Sequence, residues 1–222
     1  STQVKGLVPR KVVRVITPGT IVEPGLLSGG RNNYLACVLI HDTKAGFAYV
    51  DITTGEFSVC EIASEALSLT TENVVHLTRG EATRLHPSEI LVPDNQENLI
   101  FNNQIPDSRQ SHITPLPTWK FEFSRCQDSL MKHFQVSSLN GFGLRGKPLA
   151  IKAAGTIIQY LQETQSASLI LLSNLYTYTL NDFMTLDAAT RRNLELTETL
   201  RYSAETSSGS FPEGSLLSVL DK

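Results

Sequence analysis

The sequence has 222 residues, 41% hydrophobic and 18% charged, with a net charge of −3. That length holds one large domain or two small ones, and the hydrophobic share supports a real core and excludes a disordered tail. Phosphate neutralisation supplies most of the affinity of a free-standing nucleic-acid binder, so the missing basic excess argues against DNA binding by this chain alone.

No apolar run reaches membrane-spanning length and no signal-peptide pattern opens the chain. Cys37, Cys60 and Cys126 lie too far apart for metal-ligand spacing and read as small buried hydrophobes in a reducing cytosol. The chain opens on Ser1 and stops on Asp221-Lys222 inside an apparent helix, so it reads as an excised fragment.

In chain order, 1–11 is polar and Val12–Ile16 alternates as a strand would. Thr17-Pro-Gly-Thr20 predicts a turn in which Pro18 presets φ and Gly19 supplies positive φ. Glu23–Arg31, with Pro24, Gly25, Gly29 and Gly30, reads as a linker. Tyr34–His41, Gly46–Ile52 and Glu56–Ile62 predict an antiparallel meander joined by short hairpin connections at Asp42–Ala45 and Thr53–Gly55. Residues 63–86 are helix-like but polar, and Pro87 stops the pattern. Glu89–Val92 predicts a buried strand closed by Pro93. Asp94–Pro117 reads as an exposed excursion with one short strand near His112–Thr114.

A helix is predicted over 124–135, with Phe123, Gln127, Leu130 and Phe134 on one face and a glycine stop at Asn140–Gly143. Pro148 suits the first position of the next helix, whose stripe is Ile151, Ala154, Ile158 and Leu161. Ala153, Ala154 and Gly155 thin that helix and predict the close approach of another. Leu169–Thr179 is apolar and β-leaning. Asp187 is a credible N-cap for a helix carrying Leu186, Ala189, Asn193, Leu196 and Leu200 on one face. An amide within that stripe needs partners and predicts that Asn193 ties a neighbouring backbone, or else marks a loosely packed helix end. Ser203–Gly214 is a Ser/Gly loop before a helix capped by Ser215.

Several of these stretches carry a resemblance. Met184-Thr-Leu-Asp187 with Thr190-Arg-Arg-Asn-Leu-Glu-Leu196, the hairpin Gly46–Phe57 with its Asp51…Thr-Gly-Glu-Phe57, and Ala153-Ala-Gly155 with Tyr160-Leu-Gln-Glu-Thr164 resemble the MutS family of mismatch-repair ATPases. So do Thr17–Thr20, Pro87-Ser-Glu-Ile-Leu91 and Ser215–Asp221. The residues alone give only an α/β class. The resemblance implies a ribonuclease-H-like connector domain followed by the beginning of an all-α core (lever) domain. It divides the chain into 1–31 (tail of the mismatch-binding domain and linker), 32–145 (connector) and 146–222 (start of the core). It also implies a cytoplasmic, nucleoid-associated whole protein that dimerises, binds mismatched DNA, uses ATP and Mg, and engages a MutL-type partner, with no membrane contact.

Candidate chemistry is thin. Gly141–Lys147 has the spacing of a phosphate-binding loop, but position 148 is proline, no Ser or Thr follows the lysine, and a helix precedes it. A metal nuclease of ribonuclease-H type would need Asp51 joined by Asp42, Glu56, Glu89 or Asp128; Asp51 beside Thr53, Thr54 and Gly55 reads better as a turn acceptor. His41, His76, His86, His112 and His133 never fall at i,i+3 or i,i+4. Trp119, Phe121 and Phe123 could stack bases but at alternate spacing read as core, and Arg191-Arg192 reads as a solvated helix face. Phe121-Glu-Phe123 is not the mismatch-reading wedge of that family, whose domain would precede this chain. No catalytic, cofactor-binding or metal-ligating residue is assigned. The expectation is a non-enzymatic relay with a MutL docking surface, against the alternatives of a passive spacer or a metal nuclease.

Overall fold

Three apolar runs of eight residues each set the centre of the fold. In the computed structural model, which describes residues 15–23, 32–63, 70–101, 111–180, 190, 193–196 and 216–220, they are β1 (Tyr34–His41), β2 (Lys44–Asp51) and β3 (Glu56–Ala63). They pair antiparallel, with Leu35 opposite Val50 and Phe47 opposite Cys60, as the hairpin signals predict. The two tight connections use left-handed residues, Asp42 at φ 54° and Gly55 at φ 79°.

From β3 the chain crosses under the sheet through α1 (Thr71–Leu85) to β4 (Glu89–Pro93), which lies parallel to β1 on its free side. A parallel return needs such a crossover. After a short α2 (Glu97–Phe101), β5 (His112–Leu116) adds parallel to β4. β6 is only Tyr176–Thr177 and adds parallel to β3. The strand order is β5-β4-β1-β2-β3-β6. This is the ribonuclease-H-like α/β arrangement expected.

Strand alternation sorts the core into two layers. Leu35, Cys37, Val50, Phe57 and Val59 face α3 (Phe123–Phe134) and α4 (Pro148–Thr164). Ala36, Val38, Phe47, Cys60 and Ile62 face α1 and α2 through Val74, Val75, Ala82 and Ile100. α1 starts at a Thr70 cap whose side chain accepts from the Asn73 amide, later than the helix-like pattern suggests.

α4 is the pivot of its layer. It carries more than an apolar stripe: every residue from Leu149 to Leu161 except Lys152 is buried, because the sheet covers one side and α3 the other. The resemblance implies a boundary at 145 that leaves this helix to the following segment; it packs across β1, β2 and β3. Gly155 permits the predicted close approach. A Cβ there would sit 2.5 Å from the Cα, Cβ and carbonyl oxygen of Cys126 on α3. The first turn of α4 is capped across space, the Leu149 and Ala150 amides donating to the Glu61 carboxylate at 2.8 and 3.3 Å.

Five local readings are corrected. Gly19 does not adopt positive φ; Pro18–Thr20 is a 3-10 turn, and glycine is needed because a Cβ would lie 2.9 Å from the Glu89 Cβ. Trp119, Phe121 and Phe123 do not alternate on a strand: Thr118–Phe121 is a 3-10 turn that buries Phe121 and leaves Trp119 52% exposed. The buried face of α3 is centred on Cys126 and Leu130, and the helix ends at a left-handed Gln135, while Gly143 closes a later 3-10 turn. Val15 and Ile16 are exposed and not in a strand. Most of the helix predicted from Asp187, with Arg191-Arg192, lies outside the described residues; within it Asn193 is exposed, so it is not a buried tie.

Candidate functional site

Several polar residues of the interior, among them Asn33, Asp51, Glu89 and Gln165, gather at the end of the sheet where β1 begins. Glu89 opens β4 and is fully buried. Its Oε2 accepts from the Thr17 hydroxyl at 2.6 Å and the Gly19 amide at 3.0 Å. Its Oε1 accepts from the Thr114 hydroxyl at 2.6 Å and the Tyr160 hydroxyl at 2.7 Å. One carboxylate thus holds four donors from the segment before β1, from β5 and from α4. A buried charge is tolerated on such terms, because each lone pair has a donor. Burial, reinforced by Glu89, raises the Tyr160 hydroxyl above the usual tyrosine range, so it stays a donor.

Asn33 and Asp51 form the second half of the junction. The Asn33 amide side chain donates to the carbonyls of Pro18 and Ile21 at 3.1 and 3.4 Å and accepts from the Ser88 hydroxyl at 2.5 Å. Its backbone N–H donates to Asp51 Oδ2 at 3.2 Å. Asp51 Oδ1 accepts from the Thr53 amide and hydroxyl at 2.8 and 2.6 Å. The segment Val15–Ile21 then meets the end of α4: the Val15 amide donates to the Thr164 carbonyl at 3.3 Å, and the buried Gln165 side chain donates to the Thr20 carbonyl at 3.3 Å. The chain before β1 and the chain after α4 are therefore bonded at one corner.

The opposite end of the sheet is closed. In open parallel sheets ligands sit outside the carboxyl ends of strands where the strand order reverses. Here that point lies between β1, which leads to β2 on one side, and β4, which leads to β5 on the other. The space is taken by Gln96. Its amide donates to the Ile40 carbonyl at 2.7 Å and accepts from the Ile40 N–H at 2.8 Å, pairing with β1 as another strand residue would.

The residues a metal nuclease would need do not converge. Asp42 lies at the far end of the β1–β2 hairpin, about 23 Å from Asp51 at ~3.3 Å per strand residue. Glu89 points to the α4 layer, and alternation turns Asp51 to the other face. Glu56 accepts from the Tyr34 hydroxyl at 2.9 Å, and Asp128 is exposed on α3. No group of three or more His, Cys, Asp or Glu among the described residues is placed to hold a metal ion. His133 bonds the Leu172 carbonyl at 2.7 Å, and His41 lies 3.2 Å from Asp42 on the surface. Gly141–Lys147 follows α3 and a 3-10 turn, and the first amides of the helix after it are occupied by Glu61. The three thiols are buried and unpaired as disulfides; burial raises all of them, Cys60 to about 12.

Sequence reasoning weighed Glu89 only as a metal ligand and did not single out Asn33, Gln96 or Gln165. The one available signal was a carboxylate heading an otherwise apolar strand run, Glu89-Ile-Leu-Val92.

Where the Thr118–Phe121 turn meets α3, the half-exposed Trp119 ring carries two cations. The Arg125 guanidinium lies 4.7 Å from the Trp119 ring centroid and the Lys120 ammonium 5.6 Å. A cleft lined by Glu122, Arg125, Asp128, Ser129, Lys132 and Gln162 runs beside it, with a volume of about 460 Å³.

These features define an α/β domain of ribonuclease-H-like strand order in which the reversal point is filled and the polar machinery is turned to holding chain segments together. Residues 33–175 match the family described as MutS domain II, and the chain belongs to that family. It is similar to the DNA mismatch repair protein MutS of Roseiflexus castenholzii, 37% identical over 251 residues that cover 97% of this chain and 22% of that protein. The MutS of Trichodesmium erythraeum is 39% identical over 225 residues (97% and 23%), and that of Trichormus variabilis 39% over 232 (100% and 25%). The chain thus spans about a quarter of the length of the curated relatives it matches. No helix among the described residues is long and apolar enough to cross a membrane.

Proposed function

We propose that this chain is the connector module of a MutS-type mismatch-repair protein, without chemistry of its own, relaying state between a mismatch-binding part and an ATPase part and offering a docking surface to MutL. The observation that carries the reading is the junction: the segments before β1 and after α4 are bonded to each other and to one rigid sheet. A relay needs such a continuous physical link between the parts it connects. The whole protein, on the same reading, binds mismatched DNA and ATP with Mg, dimerises, and works in the cytoplasm at the nucleoid.

The surface best suited to docking is the Trp119–Arg125 cluster with the adjoining cleft of α3. Tryptophan and arginine dominate interface hot spots, and here the ring is half-exposed with a cation already stacked on it. The test is calorimetric titration of this chain with a MutL protein in moderate salt without DNA. Saturable binding is expected, weakened on the order of 30-fold by Trp119→Ala, the effect of losing a hot spot of about 2 kcal/mol. A folded chain, verified by circular dichroism, that gives no heat with MutL overturns the docking half of the proposal.

A further inference from the structure

The segment Val15–Ile21 is bonded to the rest of the chain at more points than its length would suggest, and the bonds converge on two places. Thr17 and Gly19 reach the Glu89 carboxylate. Val15 and Thr20 reach Thr164 and Gln165 at the end of α4. Glu89 in turn holds Tyr160, one turn before Thr164. Packing reinforces the polar bonds, because Gly19 sits against the Glu89 and Leu35 side chains at distances that admit no Cβ. Gln165 is itself buried, and its N–H ends α4 on the Leu161 carbonyl.

We infer that Glu89 is a latch: it makes the seating of the incoming segment and the order of the outgoing end of α4 a single cooperative unit. This rests on the relay reading and specifies where the relay would be coupled, at the corner where the chain arrives and departs and not through the strands of the sheet. The reason is chemical. The carboxylate is the shared acceptor of both segments, and a charged acceptor forms stronger bonds than a neutral one. Replacing it with an amide leaves one oxygen for four donors and adds an N–H₂ group facing donors. The incoming segment and Tyr160 would then lose their common partner together.

The experiment is amide hydrogen exchange on the 222-residue chain and its Glu89→Gln variant. In the variant, the Gly19 and Thr20 amides and the Gln165 and Ser168 amides are expected to exchange at least about tenfold faster, by similar factors, while Val38, Phe47 and Val59 in the central strands stay protected. Faster exchange at Gly19 alone overturns the coupling; unchanged exchange at all four overturns the latch. Thr17→Val removes one donor without leaving a buried charge unmatched, and the same comparison is read from it if Glu89→Gln does not fold. Failure of the relay reading would be seen in the MutL titration, and failure of the latch in the exchange pattern, so the two are distinguishable.

Discussion

Glycine in the middle of a helix ordinarily weakens it, and alanine in its place adds up to about 1 kcal/mol of stability. This chain offers both the ordinary case and its reversal. Gly80 lies on the exposed side of α1, where an added Cβ meets nothing within 4 Å. Gly155 lies on α4, where a Cβ would be 2.5 Å from three atoms of Cys126, two of them backbone. Reaching ordinary contact would require α3 and α4 to separate by about 1 Å, and overpacking of this kind costs ~1–3 kcal/mol or more. Both helices are buried against the sheet through residues such as Leu130 and Ile158, so the strain spreads into the core. Gly80→Ala is therefore expected to raise the melting temperature by about 2–4 °C. Gly155→Ala is expected to lower it by about 4–8 °C, for a net loss near 2 kcal/mol in a chain of this size. Thermal melts by circular dichroism, with urea midpoints as a check, measure both. If Gly155→Ala stabilises like Gly80→Ala, the helices are not in contact at that glycine and the account of the α4 layer fails.

Gln96→Leu should destabilise the chain by about 1–3 kcal/mol, the cost of leaving the Ile40 N–H and carbonyl without their partner; a change below about 0.5 kcal/mol in urea unfolding would mean that water fills the same role. Stability should change little between pH 7 and 8 and fall above pH 9. Burial holds the Cys60 proton to about 12 in the folded state, against an ordinary value of 9.0, so the unfolded chain releases it first. The unfolded state then binds fewer protons, and rising pH favours it by up to about 1.4 kcal/mol per pH unit for each such group. Urea midpoints at pH 7, 8 and 9.5 test this, and Cys60→Ala should reduce the slope; an unchanged midpoint at pH 9.5 counts against it.

The strands were legible because each is a run of the right length between turn signals, and β1 is predicted to the residue. α1 was legible in existence but not in its start, since a polar run precedes the Thr70 cap. α2 was missed because five residues carry no period. The face of α3 was misplaced because Phe123 outweighs Cys126 in an apolar pattern, although only the smaller residue fits against Gly155. Asp51 reads correctly as a turn acceptor because its partner Thr53 is two residues away. The Glu89 junction is invisible locally: its bonds to Thr17 and Tyr160 span 72 and 71 residues, and no pattern within a window encodes them.

The closure made by Gln96 bears on how this domain can change over generations of substitution. Val38 and Val92, on adjoining strands beside that closure, are both fully buried in an apolar layer. Placing a pair of carboxylates there would bury two charges at several kcal/mol each, against a total stability of about 5–15 kcal/mol for a typical domain. Each single step would be selected against before the pair could bind anything. The interior beside this closure is therefore costly to vary, and the outer surface is where substitution costs least.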